Sequence, residues 1–170
     1  IRHVHDAVVK GMNEGKDLYT LQNEIGLPPA CEVGQGYGKV NWSIRAIWEN
    51  YAGWFKHEST TELYSMPQKA IHAELVQLAG ADAMVQLAGR KAAAGEHEQA
   101  LHLLDIVLNA DPGHAGARAL TIRVHQALLE DAKTFCTTGN FWLVGWLQNQ
   151  LKLLGGGETP PLSVDQGPST

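Results

Sequence analysis

The 170-residue chain predicts an all-α fold. Three observations carry that prediction. Apolar residues recur at steps of three and four in nearly every segment. The breaks between segments are turns rich in Gly, Pro and Asp. No stretch shows the strict alternation of a half-buried strand.

The elements follow in order. Ile1, Val4, Val8 and Met12 fall on one helical face, with Val9 and His5 beside it, and Gly15 is a natural stop. Thr20 reads as the N-cap of a short helix over 21–25, which Gly26-Leu27-Pro28-Pro29 breaks. Gly34-Gln35-Gly36-Tyr37-Gly38 is a glycine-rich loop, expected to need positive φ and to let the backbone pass close to another element. From Val40 a strong helix is predicted, with Val40, Ile44, Ile47, Trp48, Tyr51 and Phe55 forming a broad aromatic stripe. A polar loop over 56–65 leads to Pro67 at a first helical position, and Ala70, Ile71, Leu75 and Leu78 carry that helix to Gly80.

The next stretch is the most regular. Asp82 is expected to cap a helix running to Ala94, Gly95 turns the chain, and 96–110 forms the return helix. Asp111-Pro112-Gly113 turns it again into a helix over 114–130. Gly139-Asn140 precedes the last helix, 141–154, rich in Trp and Leu. The domain so defined is 1–154. The remaining GGGETPPLSVDQGPST has no apolar period and is expected to be a disordered tail.

Within this frame Leu87, Ala88, Gly95, Ala100, Leu104, Val107 and Pro112 fall close to the defining positions of a tetratricopeptide helix pair. Small Ala88 and Ala100 would let the two helices approach. Only a degenerate partial copy follows, and solenoids need about three repeats, so the stretch reads as a local helical hairpin.

Composition excludes some partners. The formal charge is −5 and no Lys/Arg stripe forms, which argues against nucleic acid and anionic membrane surfaces. The longest apolar run, 141–147, is far shorter than the roughly 20 residues of a membrane-spanning helix. Cys31 and Cys136 lack a CxxC context and read as two free thiols, with a single bridge left open. The chain starts at Ile1 inside an amphipathic pattern, without an initiator Met or a secretory leader, which reads as a fragment or processed chain. Its compartment is not legible.

Catalytic motifs fail on geometry. In the opening HVHD, His3 and His5 would lie about 200° apart around a helix and could not grip one ion, since helical metal pairs sit at i, i+4. The other histidines, from His57 to His125, reproduce no ligand spacing. No serine stands in a GxSxG context. Gly38-Lys39 is followed by Val40 and preceded by no strand, so it is not a Walker loop. What remains is Tyr37 at a loop apex, a candidate for lining a pocket. The aromatic residues Trp48, Tyr51, Trp54, Phe55, Trp142 and Trp146 are candidates either for the core or for a partner surface.

Taken in order, Asn13-Glu14-Gly15, Leu27-Pro28-Pro29, Gly36-Tyr37-Gly38, Tyr51-Ala52-Gly53-Trp54-Phe55, Gly80-Ala81-Asp82-Ala83, Ala110-Asp111-Pro112 and Ala117-Arg118-Ala119-Leu120 make a specific series. It resembles the dimerisation domain of the metallo-β-lactamase-type alkyl sulfatases over nearly all of 1–154. The resemblance implies a parent enzyme in which a catalytic domain binding two zinc ions comes first. A helical domain follows that joins two subunits into a homodimer, and a sterol-carrier-like domain commonly ends the chain. The family's His-x-His-x-Asp-His motif belongs upstream, so this chain alone should carry no metal and hydrolyse nothing. In the parent, metal-activated water would attack a sulfuric ester. The helical domain also closes over the active site, which implies that the loop around Tyr37 contributes to the substrate pocket.

One departure bears on that pocket. Where the family reads Tyr-Gly-x-Val-Ser-His-Asn, this sequence reads Tyr37-Gly38-Lys39-Val40-Asn41-Trp42-Ser43. A His-Asn pair able to meet a sulfate has become Trp-Ser. Tyr37, Lys39 and Asn41 are the pocket candidates, with Lys39 supplying the charge, and the parent's substrate stays open. The competing expectation is a monomeric tetratricopeptide-like adaptor with a concave peptide groove.

Overall fold

The computed structural model describes residues 1–155, so the expectation of a disordered tail lies, beyond Gly155, outside the described residues. Among these residues the fold is all-α, with short 3-10 turns at Pro29–Cys31, Thr60–Leu63 and Gln68–Ile71. Helices α1 (Arg2–Asn13), α2 (Leu18–Glu24) and α3 (Val40–Ala52) enclose one core of Val4, Val8, Leu18, Leu21, Ile44 and Trp48. The second half holds α4 (His72–Ala79), α5 (Ala81–Ala93), α6 (His97–Ala110), α7 (Ala115–Thr134) and α8 (Phe141–Leu154). Its main core is Met84, Ala88, Ala100, Leu104, Val107, Ala117, Leu120 and Val124. Ala88 and Ala100 are fully buried, so α5 and α6 approach as closely as their small side chains permit.

The C-terminal half of α7 and α8 share a third cluster, Leu129, Ala132 and Leu147. Arg118, near the start of α7, donates to the carbonyl of Leu154 at the end of α8 at 2.6 Å, so the two helices run antiparallel. That bond also satisfies one of the last carbonyls that a helix leaves unpaired.

Several element ends differ from expectation for local reasons. Asp17, not Thr20, caps α2: its carboxylate accepts from the Thr20 backbone N–H at 3.0 Å and from the Thr20 hydroxyl at 2.6 Å. The Thr20 bonds hold that carboxyl below its ordinary pKa. Helix α3 stops at Ala52 because Gly53 turns the backbone to φ +72°, leaving Trp54 and Phe55 on the following loop rather than on the helical stripe. Pro67 precedes a 3-10 turn, and the α-helix proper begins only at His72. Gly80 occupies the N-cap of α5, and Asp82, inside its first turn, instead faces His114 at 3.3 Å. Helix α7 runs four residues past Glu130, to Thr134.

Candidate functional site

The residues around Tyr37 sit where the two halves of the chain meet. Asn140, the N-cap of α8, is fully buried. Its Oδ1 accepts from the Leu143 N–H at 2.8 Å, while its Nδ2 donates to the Gln35 carbonyl at 2.8 Å and the Gly38 carbonyl at 3.3 Å. The Phe141 N–H donates to the Gly36 carbonyl at 2.7 Å, and Gln35 Oε1 accepts from the Val40 N–H at 2.8 Å. A single network thus caps α8, starts α3 and clamps the glycine loop between them. Each bond answers a donor or acceptor that burial would otherwise leave costly.

The loop glycines serve close approach, not positive φ. At Gly36 an added Cβ would stand 2.9 Å from the Phe141 ring, and at Gly34 it would stand 2.6 Å from the Thr138 side chain. The positive-φ glycine of this region is Gly139 (φ +68°), one residue before the cap.

Clamping the loop gathers aromatic rings. Tyr37 meets Phe141 edge to face at 5.7 Å, Trp42 meets Trp142 the same way at 5.3 Å, and Trp142 lies parallel to Trp146 at 5.9 Å. Tyr37, Phe141, Trp142 and Trp146 all remain largely open to solvent. The pocket candidate Tyr37 and the partner candidates Trp142 and Trp146 therefore belong to one aromatic face, to which Trp42 and Phe141 are additions. Their spacing on α8 could have suggested the face; their meeting with residues 37 and 42 could not have been read from periodicity.

The three pocket candidates do not converge on one another. Tyr37 turns to Phe141, whereas Lys39 reaches back so that its ammonium lies 4.5 Å from the centre of the Phe135 ring. Asn41 accepts at its backbone carbonyl from Gln22 Nε2 at 2.8 Å, and its side-chain oxygen is buried without a partner.

The other aromatic candidates separate. Trp48 is core, 7% exposed. Tyr51 is half open and its hydroxyl lies 2.8 Å from His5 Nε2, so the second histidine of HVHD partners a phenol. Trp54 is 71% exposed on the loop after α3, next to Phe55, whose ring centre lies 4.2 Å from that of His57. His57 takes φ +63°, a strained value outside glycine. Glu62 secures this loop by accepting from the backbone N–H groups of Lys56 (2.6 Å), Ser59 (2.9 Å) and Glu58 (3.1 Å). Those donors, Lys56 first, hold its carboxyl below the ordinary range. Ser59 and Glu62 form a capping box, whose Ser-x-x-Glu spacing was visible in the sequence.

Among the described residues no three His, Cys, Asp or Glu side chains converge as a metal site needs.

The described residues thus form an all-α module with an open aromatic face. The family model described as alkyl sulfatase dimerisation matches residues 21–150, and the chain belongs to that family. It is 26% identical over 133 residues, 75% of its length, to a linear primary-alkylsulfatase of Pseudomonas sp., covering 25% of that protein. It is 24% identical over 152 residues, 86% of its length, to the alkyl/aryl-sulfatase BDS1 of Saccharomyces cerevisiae, covering 23% of it. In three dimensions it superposes on the stereoselective inverting sec-alkylsulfatase Pisa1 of Pseudomonas sp. with a TM-score of 0.77. That match has 22% identity and spans 93% of this chain and 25% of the other. The chain thus spans about a quarter of the length of the relatives it matches.

Proposed function

We propose that this chain is the homodimerisation domain of a zinc-dependent, metallo-β-lactamase-fold hydrolase of sulfuric esters. The catalytic domain with its two zinc ions would lie upstream of Ile1. The observation that carries the reading is the family match over 21–150 to a domain described by dimerisation. Trp48 holds the first core, while Tyr51, Trp54, Phe55, Trp142 and Trp146 are proposed as anchors of the contacts that the domain makes with its neighbours. Trp and Tyr supply large, stiff apolar area at modest entropic cost, which suits them to interfaces.

On this reading the clamped loop faces the substrate. Tyr37 would wall the pocket, Lys39 would offer positive charge to an anionic headgroup, and Asn41 would offer an amide. Lys39 is half-buried with its ammonium over the Phe135 ring, a cation–π contact worth about 0.5–1 kcal/mol that an anionic headgroup would have to outweigh. Sulfate release tests the proposal. The 170-residue chain with zinc and a long-chain alkyl sulfate should release none, whereas the longer protein containing it should. Release by the chain alone would contradict the assignment.

A second reading, a tetratricopeptide-like adaptor, is favoured by one feature. A groove of about 320 Å³ runs between α5 and α7, lined by Gly89, Ala92, Leu120, Arg123, Val124 and Ala127. Its Arg123 could take a peptide carboxylate. That reading requires a monomer.

A further inference from the structure

Among the described α-helices, α4 alone buries no residue. It is not a polar helix. Ile71, Leu75 and Leu78 stand at steps of four and three, so they share one face, and all three are exposed, Leu78 to 86%. Val76, a third of a turn away, rests against the α5–α7 core and fixes which face is left open. Just upstream, Tyr64, Met66 and Ile71 line a groove of about 440 Å³ with Thr61, Pro67 and Gln68. Tyr64 and Met66 are themselves about 70% exposed.

We propose that this strip, from Tyr64 to Leu78, is the surface on which two copies of the chain meet, with Leu75 and Leu78 of each seated in the Tyr64–Met66–Ile71 groove of the other. The proposal rests on the homodimer reading above and adds the place. Three observations select a second copy as the occupant. The first is area: Tyr64, Met66, Ile71, Leu75 and Leu78 are all exposed along one short stretch, and a contiguous apolar patch of several hundred Å² is the scale that marks a protein–protein contact.

The second is charge. The chain carries −5 overall, which opposes self-association over most of its surface. Residues 64–79 hold only Lys69 and Glu74, one of each sign. A twofold contact brings a patch against its own copy, so a charge-poor patch balanced in sign avoids like-charge repulsion. The third is shape: the strip carries both a ridge (Leu75, Leu78) and a groove (Tyr64, Met66, Ile71), which is the self-complementarity that an isologous contact needs. The matched dimerisation family spans the whole strip.

Sedimentation equilibrium tests it on the unaltered chain and on an Ile71→Asp, Leu78→Asp double variant, with far-UV circular dichroism of both. The unaltered chain is expected at twice 18.5 kDa. The variant, with its helical signal retained, is expected to associate at least ~30-fold more weakly, as for loss of an interface hot spot. If the variant loses helical signal, Leu78→Lys alone, at a side chain with few contacts within one copy, is expected to weaken association about tenfold. An unaltered dimer together with an equally tight dimer of the folded variant would overturn the strip and leave the homodimer reading standing. A monomeric unaltered chain at every concentration would overturn both.

Discussion

Asn140 Nδ2 donates to the carbonyl of Gln35 at 2.8 Å, across 105 positions of sequence. It ties the glycine loop of the first half to the last helix of the second, and with Asn140 fully buried neither half can shift without leaving polar groups unpaired. Replacing Asn140 by Ala removes the α8 cap and strands the carbonyls of Gln35 and Gly38. The expected loss is about 2–4 kcal/mol, from one cap and one or two orphaned acceptors. Urea unfolding measures it. A loss below about 1 kcal/mol would mean that water replaces the amide.

Two glycines should behave oppositely. Gly139→Ala places a Cβ 2.6 Å from the Lys133 carbonyl at φ +68°, and is expected to destabilise by more than about 1 kcal/mol. Gly26→Ala meets nothing within 4 Å at ordinary φ, and should be neutral or stabilising by up to about 1 kcal/mol. Paired thermal melts decide it.

The two tryptophans flanking Gly53 separate core from surface. Trp48→Ala removes a buried ring and should cost about 3–5 kcal/mol. Trp54→Ala, at a ring 71% exposed, should change monomer stability by no more than about 0.5 kcal/mol, and a loss of dimer affinity would extend the contact beyond the Tyr64–Leu78 strip. A large stability loss with unchanged dimer affinity would assign Trp54 to packing.

Glu62 gives the loop after α3 a pH dependence. Its folded-state pKa is lowered, so the unfolded loop binds the proton more readily and the clamp favours order above the usual carboxylate pKa of about 4.3. That contribution disappears as pH falls through the lower, folded value. Amide exchange at Lys56, Glu58 and Ser59 should be slow at neutral pH and speed up in acid beyond the normal pH trend. Glu62→Gln, which leaves one acceptor oxygen, should be fast at both.

Much of the fold was legible because it is local. Val4 and Val8 lie buried on the face that periodicity assigned them, and α8 begins and ends at the residues that the Gly139-Asn140 signal and the apolar run indicated. The errors have local causes too. Helical period continued through Gly53 into Trp54 and Phe55, where one positive φ had already ended the helix. Asp17 competed with Thr20 for the same cap and, as the carboxylate, accepts from both of its donors. The site was less legible. The close approach expected of the glycine loop is present at Gly34 and Gly36 without the positive φ expected beside it, but nothing in either segment announces that Thr138 and Phe141 are the neighbours. The open face of α4 escaped for a related reason: Ile71, Leu75 and Leu78 have core periodicity, and only the arrangement of α5–α7 shows that the core lies elsewhere.

The homodimer is the centre of this account, and the solution mass of the unaltered chain by light scattering over a thousandfold dilution tests it most directly. A mass of twice 18.5 kDa that persists on dilution is the predicted result. A mass of 18.5 kDa at every concentration would contradict it and favour the adaptor that uses the groove between α5 and α7.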